Sequence, residues 1–431
     1  MKSTMCEYSR NSLLALLAVF LLSCSPDSHS WENNSGFMPV MPSEEKEDDA
    51  DIDDGLRTGL PVLQLRTEGG ADIVSKDDYL AAELEISGEN QLDNFGPVSC
   101  SVRGRGNTTW TWPKKPYLIK LDSKASIFGF PAHKRWVLLA NFMDRTLMRN
   151  LVSMKVASMT SLAWTPSCRS VELMLNDKHM GTYLLIEQVR VDNDRVDISE
   201  NGFMLELDFH YDNPIQWKDH GIPFSVKYPD SDEIKPAQVQ EIKDYIAAVS
   251  NIIYGADFKD PDRGYAKFLD MDSFIDYWIV FEVMGNHELG NPGSVYMYKD
   301  VGTKLFAGPC WDFDWGVLSY NTSPHAKGGL VNRYAIWYAR LFEDPAFRNK
   351  VKARFQELLP QLSTIPDYIE ECRTMLRKSA ALNFALWNPA EDSSQNGGHI
   401  INGDENMSFD AAVSLLKQIY NERLDVILSN L

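Results

Sequence analysis

Residues 103–122 read RGRGNTTWTWPKKPYLIKLD and residues 285–316 read GNHELGNPGSVYMYKDVGTKLFAGPCWDFDWG. The first is a turn rich in glycine and arginine that runs into a lysine-bearing strand. The second is a polar loop, a hairpin and a tight Asp-Phe-Asp turn. A cationic glycine turn holds polyphosphate, and carboxylates at a strand end hold its magnesium. In this order along one chain, the two stretches suggest a phosphoryl-transfer site.

Working outward, alternation predicts strands at 61–66, 80–87, 99–103 and 116–121, an apolar run marks 136–141, and two more strands are expected at 203–209 and 223–228. Asn176-Asp177-Lys178 predicts a hairpin turn between strands 170–176 and 182–189. Helices are expected at 144–158, with Asp144 as N-cap, and at 236–253, 272–285, 343–360, 366–384 and 408–429. Pro236, Asp272 and Ser408 serve as start signals. Strands fill the first half and helices the second, so the expected class is α+β with two lobes, strand-rich over about 60–230 and helical over about 231–431.

Gly104 and Gly106 permit unusual backbone angles and close approach to phosphate. Arg103 and Arg105 alternate across a strand, so one of the two is expected to face the ligand. Thr109 stands where a GxGxxG loop has its third glycine; taken alone, the turn reads as a tight hairpin with a salt-bridged arginine. Asp312 and Asp314, two residues apart, share a face if extended and offer hard oxygen ligands. His210, His220, His325 and His399 are isolated, and no GxSxG is present, which leaves zinc and α/β-hydrolase chemistry unsupported. Trp110, Trp112, Trp217 and Trp337 are candidates for sugar stacking or for core.

The motifs RGRGNTTW…KKPYLIKL, GTYLLIEQV, SVYMYKD and GPCWDFDWG together resemble the CotH spore-coat kinase family over roughly residues 60–429. That resemblance implies an atypical protein-kinase-like fold binding ATP and Mg²⁺ or Mn²⁺. It implies nucleotide-binding roles for Arg103, Gly104, Arg105, Gly106, Asn107 and Lys120, the last on the α/β-phosphates, while Lys114 and Lys115 are expected in solvent. The 144–158 helix lacks the glutamate that pairs with such a lysine, so Glu187 is the expected substitute. Asp312 matches the metal-binding aspartate, with Asp314 a helper and Ser294 near the position of a metal-binding asparagine. Glu288 falls where founding members carry the loop aspartate, and His287 is the alternative base.

The N-terminus speaks to location. Lys2 and Arg10 precede an apolar run at 12–22, too short for an ordinary span. Leu21-Leu22-Ser23-Cys24 resembles a bacterial lipobox, implying a signal peptide over 1–23 and lipidation of Cys24; an ordinary signal peptide is the alternative. Residues 24–59 read as an acidic tether, with eight acids and one lysine in 44–54 alone. The expected arrangement is a body, residues 60–431, at the periplasmic or surface face of a bacterial envelope, touching membrane through lipid only. Net charge of −19 argues against nucleic-acid binding. Cys100, Cys168, Cys310 and Cys372 allow three pairings or buried thiols. Two functions stand: a kinase phosphorylating Ser or Thr of an envelope or surface protein, and an inactive scaffold of the same family binding glycan or protein.

Overall fold

The computed structural model describes residues 56–321, 328–389 and 402–431. The signal-like run, Cys24, most of the acidic tether, His325 and His399 lie outside the described residues. Among the described residues no helix is long and apolar enough to cross a membrane.

Seven strands close a barrel: β1 (Val62–Thr67), β2 (Leu80–Ser87), β3 (Phe95–Gly104), β4 (Tyr117–Ala125), β5 (His133–Leu139), β6 (Cys168–Leu175) and β7 (Lys178–Glu187). Their order is β1-β2-β3-β4-β5-β7-β6, and the ring is closed by parallel pairing of β1 with β6. Closure removes the unpaired edges that an open sheet would expose. Asn176 and Asp177 both adopt positive φ, 49° and 60°, the left-handed pair that a two-residue hairpin between β6 and β7 demands.

Period-two alternation divides the barrel's side chains between two cores. Tyr117, Ile119, Trp136, Leu138, Tyr183 and Leu185 fill its interior. Leu118, Val137, Leu139, Leu184 and Ile186 face outward into the larger core shared with the helices. Tyr-Leu-Leu-Ile at 183–186 is continuously apolar because β7 is buried on both faces.

A second, five-stranded sheet has the order β12-β11-β8-β10-β9. It comprises β8 (Phe203–Leu207), β9 (Gln216–Asp219), β10 (Ile222–Tyr228), β11 (Val295–Lys299) and β12 (Phe306–Ala307). Helices α1 (Arg149–Ala157), α2 (Pro236–Tyr254), α3 (Met271–Val283), α4 (Tyr338–Leu341), α5 (Pro345–Leu362), α6 (Ile365–Leu386) and α7 (Phe409–Asn430) complete the described fold. Mixed α and β content, with strands concentrated before residue 230, agrees with the α+β part of the expectation.

Two helix starts differ from expectation. Asp144 does not cap a helix directly: its carboxylate accepts from Thr146 N and Arg149 N, so the chain makes an extra turn and α1 begins at Arg149. At α3 the cap is Asp270, which accepts from Ser273 N at 2.9 Å, rather than Asp272. Ser408 caps α7 through Ala411 N. All four described cysteines are free thiols, and burial pushes Cys100, Cys168 and Cys372 up to about 12, which keeps them unreactive at neutral pH.

Candidate active site

A cavity of about 980 Å³ receives side chains from the β3–β4 turn, the β7–β8 connection, the end of β8, the 285–294 loop and the acidic turn after β12. Segments more than two hundred residues apart in sequence, such as those of Arg103 and Asp312, thus meet on one surface.

The glycine turn follows β3. Arg105 N donates to Pro116 O and Gly104 N to Ser75 O, which folds the turn back over the start of β4. Gly106 has φ +86°, and a Cβ there would lie 2.0 Å from Thr109 Oγ1, so no larger residue fits. Gly104 is required for a different reason: a Cβ would strike the Trp110 ring at 2.3 Å. Its absent side chain seats a tryptophan, and Gly104 itself does not line the cavity. Arg103, Arg105, Gly106 and Asn107 all do. Both arginines therefore face it, against the expectation of one, because β3 ends at Gly104 and strand alternation stops there. The Arg105 guanidinium lies 5.5 Å from the Trp311 ring.

The lysines are exchanged relative to expectation. Lys114 is fully buried. Its Nζ donates to Ala140 O at 2.8 Å, to Asn383 Oδ1 at 2.7 Å and to Thr182 O, with the Tyr183 ring 4.5 Å away. Lys115 donates to Trp110 O. Lys120 is exposed on the outer face of β4 and does not line the cavity. Glu187 is no partner for it: alternation sends the two to opposite faces, and Glu187 meets Ser167 N at 2.8 Å and Arg195 Nε at 3.7 Å. Burial raises Glu187 above the usual carboxylate range despite Arg195.

In the 285–294 loop, Asn286 is buried and its Oδ1 accepts from Glu288 N at 2.9 Å. That bond turns His287 and Glu288 toward the cavity. His287 Nδ1 and Glu288 Oε2 are buried atoms without hydrogen-bond partners. Burial, reinforced by Asp312 and Asp314, lifts Glu288 well above its ordinary value; burial lowers His287. Both groups are thereby biased toward their neutral forms.

Asp312 has φ +66°, so the Asp-Phe-Asp stretch is not extended. The two aspartates still line the same cavity, because a turn rather than strand alternation directs them. Neighbouring elements hold this turn. Phe313 N donates to Asn150 Oδ1 at 2.8 Å, and the Phe313 ring packs 4.7 Å from Phe281. Asn402 accepts from Gly316 N at 3.0 Å and donates to Asp314 O and Met143 O. Ser294 Oγ donates to Asp312 Oδ2 at 3.3 Å. Burial raises Asp312, opposed by Arg105 and Ser294; burial, Asp312 and Asp144 push Asp314 up to about 8. Both carboxylates keep an open face on the cavity.

Two acids escaped the sequence reading. Glu206 and Asp208 are buried at the end of β8 and line the cavity. Glu206 accepts from Tyr296 Oη at 2.8 Å and pairs with Lys227 at 2.9 Å; Asp208 meets His210 Nδ1 at 2.8 Å. The available signal was two acids at i, i+2 inside the apolar stretch MLELDF, a pattern strands adopt only when something receives the charge. Trp112 stacks on Trp315 at 6.3 Å and both line the cavity, whereas Trp337 is core.

Among the described residues no three His, Cys, Asp or Glu side chains converge as a closed metal cage. Magnesium asks for less: one or two carboxylates, with water and substrate phosphates filling the remaining positions. Asp312 and Asp314, two repelling carboxylates beside the unpartnered Glu288 Oε2, suit such an open site.

A search of curated proteins returned no match. The family model described as CotH kinase protein matches residues 102–427, from β3 into α7 and across every segment that lines the cavity after β2. The chain belongs to the CotH kinase protein family.

Proposed function

We propose that the protein is an ATP-dependent phosphotransferase that moves a γ-phosphoryl group to a Ser or Thr hydroxyl of an envelope or surface protein. The observation that carries this reading is the meeting, in one cavity, of the Arg103–Asn107 turn with Asp312, Asp314 and Glu288. Arg103, Arg105 and the backbone of Gly106 and Asn107 would hold phosphate oxygens, since guanidinium forks and a glycine turn match their geometry. Asp312 and Asp314 would hold Mg²⁺ or Mn²⁺, with Ser294 orienting Asp312. The bound cation supplies positive charge for the phosphates and relieves the repulsion among Asp312, Asp314 and Glu288. Glu288 then serves as the proton acceptor for the incoming hydroxyl, with His287 beside it.

The atypical two-lobed kinase arrangement belongs to this proposal: the barrel would form one wall of the nucleotide cleft and the acidic turn the other. So does the location, a body tethered through lipid on Cys24 to a bacterial envelope. Replacing Cys24 by Ala would release it from the membrane fraction.

Ser294, standing at the position of a metal-binding asparagine, favours a second reading, a scaffold that binds nucleotide, glycan or protein without transfer. Transfer from γ-labelled ATP to an envelope protein fraction separates the two. Label incorporated by the wild type, lost in Asp312→Ala and in Glu288→Gln, supports the enzyme. Incorporation by none of the three, with nucleotide bound, supports the scaffold.

A further inference from the structure

Lys120 has a setting of its own, outside the cavity. It projects from the outer face of the barrel, paired in register with Ser101 on β3 and Arg135 on β5. Two residues back along β4, Leu118 pairs with Arg103, so the Arg103 level is ~7 Å from the Lys120 level. Tyr79 lies between them. The Arg103 guanidinium stands 5.1 Å from its ring centroid and Lys120 Nζ 6.0 Å from the same point. Arg135 Nη1 donates to its hydroxyl at 3.0 Å. Three cations thus converge on one half-buried phenol. None of them forms an ion pair with a carboxylate among the described residues, and Arg103 Nε is a buried donor without a hydrogen-bond acceptor.

The charge placement is unusual for this chain. The protein carries 61 acidic and 42 basic residues, so a carboxylate partner for any given cation is easily found. Arg190 has Asp230, Lys227 has Glu206 and Arg169 has Asp93. The Tyr79 cluster keeps three positive groups together without one. Burial works to raise the phenol, and Arg103 and Arg135 together bring it below its ordinary value.

We propose that the Tyr79 cluster binds a phosphoserine or phosphothreonine side chain of the acceptor polypeptide. Three cations, two of them guanidinium forks, suit a group carrying −1.5 to −2 charge and three acceptor oxygens better than they suit a single carboxylate. Arg103 also lines the cavity, so the cluster adjoins it and a chain that reaches into the cavity can carry the anion. That adjacency places the anion on the acceptor chain. The inference rests on the phosphotransferase reading and gives it an order: the preferred acceptor is already the product of one phosphoryl transfer, and each transfer creates the ligand for the next.

Fluorescence anisotropy on the purified protein with Mg-ATP tests this. The probe is a degenerate labelled peptide library with one fixed phosphoserine, beside the same library with serine there, and vesicles of phosphatidylglycerol. The wild type is expected to bind the phosphoserine library at least tenfold more tightly than the serine library. The double variant Lys120→Met, Arg135→Gln, altered only at positions outside the cavity, is expected to lose that ratio while its ATP–metal thermal shift equals that of the wild type. Equal affinity for the two libraries in the wild type overturns the proposal, as does a ratio that survives in the double variant. Vesicle binding that the variant loses, without a phosphoserine preference, overturns it in favour of a headgroup site. The thermal shift is read on the same samples, so loss of nucleotide binding would refute the phosphotransferase reading separately from the peptide ratio.

Discussion

Replacing Lys114 by Met tests how the glycine turn is anchored. The ammonium joins three elements: the end of β5 through Ala140 O, β7 through Thr182 O and α6 through Asn383 Oδ1. Burial pushes this amine down to about 7, despite the opposing charge of Glu172. Three acceptors, however, require three donors, and only the protonated ammonium supplies them. Methionine fills much the same volume but donates to none of the three. Each orphaned acceptor costs ~1–3 kcal/mol, and the cation–π contact with Tyr183 is lost as well. Removing the buried ammonium recovers part of this, because its desolvation no longer opposes folding. The net expectation is a loss of ~3–5 kcal/mol, the range for breaking a buried charged contact from one side. Guanidinium chloride denaturation of wild type and variant, followed by tryptophan fluorescence, measures it directly. Asn383→Ala removes one acceptor of the three and should cost less. A loss below ~1 kcal/mol for Lys114→Met would refute the reasoning, since the cluster would then be no stronger than an exposed pair.

Further predictions concern the turns and one histidine. Gly106→Ala places a Cβ at φ +86° and 2.0 Å from Thr109 Oγ1; thermal melts should show ~1–2 kcal/mol lost, with weaker ATP binding by titration calorimetry. Asn402→Ala strips the acidic turn of its bonds to Gly316 N and Asp314 O; stability should fall by ~2–4 kcal/mol and the affinity for Mn²⁺ should drop with it. His133 is held down to about 4, first by burial and then by Arg195. Its folded value is below the unfolded ~6.5, so the unfolded chain takes up the proton first and stability falls as pH drops from about 6.5 towards 4. Between pH 7 and pH 5 this amounts to ~2 kcal/mol, and His133→Gln should flatten that part of the stability–pH curve.

Much of the fold was legible because local chemistry fixes it. The boundaries of β2 follow from alternation alone, and the hairpin at Asn176-Asp177 follows from two residues that tolerate positive φ. Strand β9 was missed because Gln216–Asp219 is four residues long and has no alternating pattern, and helix α4 is a single turn. Within the site, the two long motifs identified the right segments, but not every side chain's direction. The choice between Lys114 and Lys120 depends on Asn383, 269 residues away, which no spacing rule reaches. The pairing of Glu187 with Arg195 depends equally on a tertiary contact. Arg103 and Arg105 were expected on opposite faces because the end of β3 at Gly104 was not visible in the alternation. Glu206 and Asp208 were visible as acids in an apolar strand and were passed over because no motif names them.

Thermal-shift titration with ATP and Mg²⁺ or Mn²⁺, wild type beside Asp312→Ala, tests the central claim most directly. A ligand that binds only the folded state raises the melting temperature as its concentration rises. The account predicts a metal-dependent rise in the wild type that is absent in Asp312→Ala. No shift in the wild type at millimolar nucleotide, or the same shift in both proteins, would contradict it.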